Sequence, residues 1–405
     1  MLTTLVVVLG LLSADAHAEP LGSRIGWEEA LERARRTPGV SAAGRAANEK
    51  RALDESVGGL GNPEVGLAAG VRKGEPDSGF EGEVSIVQPI PLSSLGAERR
   101  TAARAETKVL DVQARALRLQ RSLEVAEAWV LLHATQRVLE ETEAAVALAD
   151  EFLDGVERGS RAGIFTADEV ASARAHAARA RLARLDAEGE AFDRGVELAR
   201  LTLHPGPLPL RTDGPLPHAD LPPAMEWADR LRPERLPPVL VPILQAEAAR
   251  ARLREQEVAG RTIWLGVGAA AIREAEERAL VGTLSFGLPL FERNQRERGQ
   301  LLAEARAEEG RGEEARATAH TLASSLIHEV EHTEEVFRLV NDFLLPSAEE
   351  RLRLIRLSFQ VGETTILEVR QAQEELLDVR IRLHRAQAAR ALARLRLAFF
   401  LEAVP

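Results

Sequence analysis

The chain has no cysteine and no tyrosine, its aromatic content is only 4%, and only three of its basic residues are lysine. Without cysteine there is no disulfide, zinc–thiolate site, iron–sulfur cluster, thiol nucleophile or lipid-modified N-terminal cysteine. A net charge of −11 argues against a nucleic-acid partner, which needs a basic face. Beyond the N-terminus, no segment has the roughly 18 uncharged apolar residues of a membrane-spanning helix.

Alanine, leucine, arginine and glutamate dominate long stretches, as is typical of long helices and coiled coils. The N-terminus has the features of a secretory signal. Leu5 to Leu12 is apolar, and Ala16-His17-Ala18 is a small-residue cleavage site before Glu19. We therefore expect a signal peptide over residues 1–18 and export of the mature chain.

The second half of the chain resembles the first at an offset near 199 residues. This predicts a first repeat over 19–204, a proline-rich linker over 205–242 and a second repeat over 225–405. The linker is expected to be extended because proline blocks helix and ladder hydrogen bonds. The segments that match are Trp27–Leu31 with Trp227–Leu231, Gln88–Leu92 with Gly287–Leu290, and Gly163–Thr166 with Gly362–Thr365.

Each repeat is predicted to contain a short helix, two strands and then long helices. Residues 97–156 contain no proline and one glycine, and a heptad seam runs from Val109 to Val130, so a helix of about 90 Å is expected. The last helix carries two apolar stripes, which indicates packing against two neighbours. The strand candidates are Glu64–Val71, Glu83–Gln88, Thr262–Ala271 and Leu280–Leu288.

Four strands of this length suit a tilted membrane-spanning sheet, but four strands cannot close a barrel. Open edges in lipid leave backbone groups unsatisfied, so they must pair with other copies of the chain. The predicted fold is mainly α with a small β part, in which several copies of the chain close one outer-membrane barrel. Three copies would give twelve strands, within the size range of known barrels. The number of copies does not follow from the residues. The alternative is a soluble helical protein with ordinary hairpins.

Three groups of residues occur at matching places in a known family. The first is Val361–Val369 with Gln371-Ala372-Gln373, the second is Pro289-Leu290-Phe291 with Arg298-Gly299-Gln300, and the third is Asn62–Val65 with Gln88-Pro89-Ile90 and Arg99-Arg100. Together they resemble the TolC-like outer-membrane efflux proteins, over about Trp27 to Leu401. The third group resembles the CzcC-like heavy-metal branch of that family more than the multidrug branch. The resemblance implies a homotrimer in the outer membrane, a large periplasmic part that forms a helical tunnel, a periplasmic adaptor (membrane fusion protein) and an inner-membrane pump as partners, and no enzyme activity or cofactor.

The resemblance also implies which residues carry function. Two helix–turn–helix tips would contact the adaptor, and acidic residues just after the second tip would form a pore constriction. Glu368 holds the first such position, Gln371 stands at the second, and Glu169 matches Glu368 in the first repeat. The tip residues are Arg161, Gly163, Ile164, Val361, Gly362, Glu363 and Thr364. We also expect Gly163 and Gly362 to adopt positive φ in tight turns.

One motif suggests catalysis instead. His328-Glu329-Val330-Glu331-His332 matches H-E-x-x-H, which on a helix places two histidines toward a zinc ion with Glu329 as general base. A catalytic zinc needs a third protein ligand, and nothing positions Glu349 or Glu350 for that role. The favoured interpretation is an ordinary helix surface, with a zinc metalloprotease as a remote alternative.

Two other functions remain open: a periplasmic efflux adaptor and a secreted coiled-coil scaffold. An adaptor places one helical hairpin inside small β-domains, whereas strands precede helices twice in this chain. A scaffold lacks paired strands at a fixed repeat position. The sequence does not identify the cargo.

Overall fold

The computed structural model describes residues 22–58, 60–73, 79–274 and 277–403. The predicted signal peptide lies outside these residues. The helices are α1 Trp27–Arg35, α2 Pro38–Asp54, α3 Leu95–Arg161, α4 Ala167–Thr202, α5 Trp227–Leu231, α6 Pro237–Ala259, α7 Gln295–Leu339, α8 Leu345–Gln360 and α9 Ile366–Ala403. The strands are β1 Arg24–Gly26, β2 Glu64–Arg72, β3 Gly79–Pro91, β4 Arg211–Asp213, β5 Trp264–Glu274 and β6 Glu277–Gly287.

The fold is mostly helical with a smaller strand part, as predicted. Short 3₁₀ segments precede α5 and α6, at Ala224–Glu226 and Pro233–Arg235, and a π segment at Val340–Leu344 joins α7 to α8. The long helix α3 begins and ends close to its predicted bounds. Its 67 residues extend about 100 Å.

The four predicted strands are all present and form one antiparallel sheet in the order β2-β3-β5-β6. The register pairs Leu67 with Val84, Val84 with Ala271, and Ala271 with Leu280. Each strand runs opposite to its neighbour, so the edge strands β2 and β6 also run in opposite directions. Both edges therefore have the direction needed to pair antiparallel with another copy.

The proline-rich segment 205–242 is not simply extended, and that expectation was wrong. It contains β4, which pairs in parallel with β1, and it contains the start of α6. Pro237 begins α6 at a position where the missing N–H costs no hydrogen bond. Helix α6 also tolerates Pro242 in its interior.

Each half of the chain has two helices before its strands, where one short helix was expected. Helices α1 and α2 precede β2, and helices α5 and α6 precede β5. The short polar break at Arg36-Thr37 separates α1 from α2, and Pro38 then begins the new helix. Only one helix was expected in this region. Proline is common in the first turn of a helix, so Pro38 is compatible with the start of a second helix after the break.

The described residues form two compact units, each built from segments of both halves. Of the described residues, the first unit comprises 22–30, 128–216 and 343–388, and the second comprises 31–58, 60–73, 79–127, 217–274, 277–342 and 389–403. In the second unit, helices α3, α5, α6, α7 and the end of α9 bury a core that includes Leu119, Leu231, Leu236, Leu326 and Leu397. In the first unit, helices α8 and α9 pack through Ala348, Leu352, Ala372, Leu376 and Val379.

Within residues 22–58, 60–73, 79–274 and 277–403, no helix combines the length and the apolar character required to cross a membrane.

Candidate functional site: two helix–helix turns and an apolar sheet face

The first turn joins α3 to α4 at the residues predicted as a tip. Gly163 has φ +76° and donates its N–H to the Ser160 carbonyl at 3.0 Å. Ile164 donates its N–H to the Gly159 carbonyl at 2.9 Å. This pair of bonds is a Schellman motif, which ends a helix at a residue of left-handed conformation. Positive φ at Gly163 confirms the prediction for this position.

The second turn joins α8 to α9 in the same way. Gly362 has φ +80° and donates its N–H to the Phe359 carbonyl at 3.1 Å, while Glu363 donates to the Ser358 carbonyl at 2.9 Å. Positive φ is confirmed here too. Both helices therefore end in the same hydrogen-bond pattern, and both turns depend on a residue without a Cβ atom.

The helices that follow the turns begin with matching capping boxes. The Thr166 N–H donates to Glu169 Oε2 at 2.7 Å, and the Glu169 N–H donates to Thr166 Oγ1 at 3.3 Å. The Thr365 N–H donates to Glu368 Oε2 at 2.8 Å, and the Glu368 N–H donates to Thr365 Oγ1 at 3.4 Å. Each carboxylate thus satisfies an orphan donor at a helix N-terminus. The T-x-x-E spacing was visible in the sequence, but its capping role was not recognised.

The residues predicted to constrict a pore lie directly after these turns. Glu169 and Glu368 are half-buried, and Gln371 is exposed one turn further along α9. Hydrogen bonds from the Thr166 backbone and hydroxyl hold the pKa of Glu169 below its usual value, so this carboxyl stays ionised. Whether these side chains line a lumen stays a prediction, because it depends on other copies of the chain.

An apolar cluster holds the two hairpins together just behind the turns. Val156, Ala173 and Ile366 are buried in it, and the rings of Phe165 and Phe359 stack with centroids 6.4 Å apart. The sequence repeat aligned the turns but did not predict this contact. The cluster brings both predicted tips to one end of the first unit.

The tip residues themselves are mostly exposed. The side chains of Ile164 and Val361 are each 71% exposed, although both are apolar. Arg161 and Glu363 are also exposed, whereas Thr364 is half-buried and its hydroxyl donates to the Ile355 carbonyl at 3.4 Å. Exposed apolar side chains beside a rigid turn are suited to contact with another protein.

Behind the turns, the first unit contains a polar cluster around the buried His176 that the sequence did not indicate. His176 of α4 lies 3.2 Å from Glu374 of α9 through its Nδ1 atom, beside a cavity of about 270 Å³. Burial lowers the pKa of His176, although the Glu374 carboxylate opposes this shift. A second carboxylate at the same cavity, Glu141, accepts a hydrogen bond from Arg380 at 3.2 Å.

The H-E-x-x-H segment lies on the exposed surface of α7. The rings of His328 and His332 stack with centroids 5.8 Å apart, and Glu329 accepts a hydrogen bond from Arg396 at 2.5 Å. Within the described part of the chain, no group of three His, Asp or Glu side chains is placed to hold a metal ion. Glu329, the general base that the motif would need, is engaged in an ion pair with Arg396.

The sheet has one apolar face that extends across all four strands. The side chains on this face are highly exposed, from 45% at Val267 to 82% at Leu280. The opposite face carries glycine, serine, threonine and glutamate, following the alternation of the strands. The large apolar side chains are Val65, Leu67, Val71, Phe80, Val84, Ile86, Val267, Leu280, Leu284 and Phe286. So large an apolar surface, far beyond what soluble monomers usually expose, marks an interface with protein or lipid.

Comparison with solved structures defines the class of fold. The outer-membrane protein VceC from Vibrio cholerae superposes with a TM-score of 0.69 at 19% identity, covering 93% of this chain and 95% of that one. CusC superposes with a TM-score of 0.71 at 18% identity, covering 94% and 95%. The MtrE outer-membrane channel of Neisseria gonorrhoeae in its open state gives 0.65 at 17%, covering 97% and 95%. By sequence, no protein-family model and no curated protein matches the chain.

The chain therefore has the fold of the TolC-like outer-membrane channels, as the sequence resemblance predicted. CusC is described as forming a transmembrane channel, and MtrE is an outer-membrane channel. The correspondence covers more than nine-tenths of this chain in each of these comparisons. The CzcC-like heavy-metal branch stays a prediction.

Proposed function

We propose that this chain is the outer-membrane channel subunit of a tripartite export system. Three copies close one barrel of twelve strands, and their helices continue as a tunnel in the periplasm. A periplasmic adaptor docks at the turns around Gly163 and Gly362, and an inner-membrane pump delivers the cargo. The channel itself is a passive conduit that needs no cofactor.

The observation that carries this proposal is the exposed apolar face of the sheet. A bilayer covers such a face, and the polar opposite face then lines an aqueous interior. The edge strands β2 and β6 run in opposite directions, so the β6 edge of one copy and the β2 edge of the next pair antiparallel. Closure in this way satisfies every edge donor and acceptor without a lipid-exposed edge. The fold shared with outer-membrane channels supports the same assignment.

The matched turns support the proposed two-fold repeat and the adaptor contact. Each turn combines a positive-φ glycine, a capping threonine and a glutamate at the same spacing. Two equivalent turns in three copies give six equivalent docking positions around the proposed tunnel. Ile164 and Val361 provide exposed apolar contact at these positions.

Disulfide trapping tests the proposed closure directly, because the chain has no cysteine of its own. Within one chain, two strands lie between β2 and β6, so the axes of β2 and β6 are about 14 Å apart. A disulfide requires Cα atoms within about 7 Å, so a bond between these strands must join two copies. We expect Leu67→Cys combined with cysteine at successive β6 positions to give a covalent trimer at one register, in outer-membrane fractions.

The control is Leu67→Cys with Val84→Cys, which are direct partners in one sheet. This pair should form an intramolecular bond and no covalent oligomer. Recovery of soluble monomer, or no intermolecular bond at any β6 position while the control pair oxidises, would contradict the proposed barrel.

A further inference from the structure

A shallow depression of about 470 Å³ lies on the sheet between its exposed apolar side chains. It forms where small residues interrupt the apolar face, at Ala69, Gly82 and Ala271. Leu67 and Val84 border it on one side, and Phe80 borders it on the other. The Phe80 ring lies 3.3 Å from the place where a Cβ atom on Gly82 would stand, so any side chain at Gly82 would narrow the depression.

Two arginines stand at one end of this depression. Arg273 and Arg278 both line it and are direct cross-strand partners in the β5–β6 register. Both side chains are exposed, and neither has an ion-pair partner among the residues that the structure describes. Like charges directly opposite each other destabilise a sheet. An anion between the two guanidinium groups would remove this repulsion.

Among the residues that the structure describes, the nearby acidic side chains do not supply that anion. Strand alternation places Glu83 and Glu274 on the opposite face of the sheet from Arg273. The row that contains Arg273 and Arg278 continues across the sheet as Gly82 and Ala69, which carry no charge. The positive pair therefore faces the same side as the apolar depression.

The position of the pair along the strand matches a membrane boundary. Phe286 and Arg278 lie on the same face of β6, eight residues or about 27 Å apart along the strand. At the usual tilt of barrel strands this is about 20 Å across the membrane, close to the roughly 25 Å apolar band. In the proposed barrel, Phe286 then lies near one lipid interface, and the arginines lie near the headgroups of the other.

We propose that this depression binds an anionic, phosphate-bearing lipid of the outer membrane. Its phosphate sits between Arg273 and Arg278, and an acyl chain lies over Ala69 and Gly82. Guanidinium groups suit phosphate because their N–H groups bond two oxygens at once. The inference rests on the proposed function, since it needs the apolar face to be in lipid.

The test uses the full-length trimer in nanodiscs of phosphatidylcholine with or without phosphatidic acid, with bound lipid measured by native mass spectrometry. Wild type should retain phosphatidic acid in preference to phosphatidylcholine. Arg278→Gln should lower this preference about fivefold, and the double variant Arg273→Gln/Arg278→Gln should lower it by about that factor again. Arg273→Lys/Arg278→Lys keeps both charges but loses the paired N–H donors, so its preference should lie between those of wild type and the double glutamine variant.

Two further variants separate the parts of the site. Gly82→Leu fills the depression and should reduce retention of both lipids while the arginines remain. Arg115→Gln/Arg118→Gln removes the same charge from an exposed face of α3 and should leave the preference unchanged. Equal preference in wild type and in the arginine variants overturns the proposal. Displacement of the lipid by equimolar inorganic phosphate shows a simple anion site and also overturns it. A chain that does not enter nanodiscs contradicts the proposed function instead.

Discussion

Glu368 combines a structural contact with its predicted role at the pore. Its carboxylate accepts the Thr365 N–H at the start of α9, so its position is held by the helix end. Only one oxygen is engaged in the hydrogen bonds to Thr365, and the side chain is half-buried. A substitution by alanine would therefore remove both a charge and a helix cap, which is worth about 1 kcal/mol. Glutamine keeps the capping interaction and removes only the charge.

We predict that Glu368→Gln lowers the cation preference of single channels in planar bilayers and weakens block by divalent cations from the periplasmic side. A ring of three carboxylates attracts cations, and a ring of amides does not. Gln371→Glu, one turn further along an exposed position, should strengthen the same block. Glu363→Gln is the control, because Glu363 lies on the turn outside the cap. Selectivity and block that match wild type in both Glu368→Gln and Gln371→Glu would place Glu368 outside the constriction.

The role of Gly362 in the second turn depends on its backbone conformation. A residue with a Cβ atom at φ +80° costs about 1–2 kcal/mol, so the turn would shift. We predict that Gly362→Val weakens adaptor-dependent export and tip crosslinks to the adaptor, while heat-resistant trimers still form. The same substitution at Gly189, which lies within α4 with open space around it, should leave export unchanged. Unchanged export and crosslinking in Gly362→Val would show that this turn does not contact the adaptor.

At the scale of elements, the strands and the long helices were predictable, and the contacts between them were not. All four predicted strand candidates lie in the sheet, and the proline-free stretch with its heptad seam lies in α3. The break between α1 and α2 was missed, because Pro38 starts a helix as readily as it ends one. The pairing of Arg273 with Arg278 depends on the register of β5 and β6, which alternation alone does not determine. The burial of His176 likewise depends on tertiary packing.

Two buried histidines of the first unit lead us to expect that its stability depends on pH. His176 faces Glu374, Arg370 and Gln373, and its pKa is lowered chiefly by burial. His133 stacks on Trp129 at 5.4 Å, and burial lowers its pKa too. Since folding favours the neutral form of both, their contribution to stability is complete above the ordinary histidine pKa of about 6.5. It is lost as the pH falls below that value, because the unfolded chain then binds protons more readily.

We therefore predict that the melting temperature of the trimer falls between about pH 8 and about pH 5, and that His176→Gln reduces this fall. The groups facing His133 are Arg137, Glu140 and His384, of which only Glu140 favours its protonated form. His133→Gln should thus act in the same direction. His320→Gln, at an exposed position on α7, is the control and should follow wild type. Parallel curves for His176→Gln, His133→Gln and wild type would show that these histidines do not produce the acid sensitivity.

At the scale of the whole molecule, the sheet is the feature that suggests a partner. It has two open edges and an exposed apolar face, and both features favour association with another chain or with lipid. The sequence predicts the same need, since four strands cannot close a barrel, but it does not determine how many copies meet. The proposed acidic ring, the proposed adaptor positions and the proposed lipid site all depend on the proposed assembly. All of these proposals require that the apolar face of the sheet meets lipid and that its opposite face meets the lumen.

We predict opposite outcomes for one substitution at two nearby positions of β6. Leu284 is 71% exposed on the apolar face, whereas alternation places Val281 on the opposite face. An arginine facing lipid costs about 2–4 kcal/mol in each copy at the middle of a barrel and less toward the interfaces, while an arginine facing the lumen is solvated. Leu284 lies two residues from Phe286, between the proposed interface and the middle of the barrel, so part of this cost is expected in each copy. Leu284→Arg should therefore reduce the heat-resistant trimer in outer-membrane fractions, and Val281→Arg should leave most of it. If Val281→Arg abolishes the trimer and Leu284→Arg does not, the faces are reversed. If both variants assemble like wild type, the sheet is not in lipid.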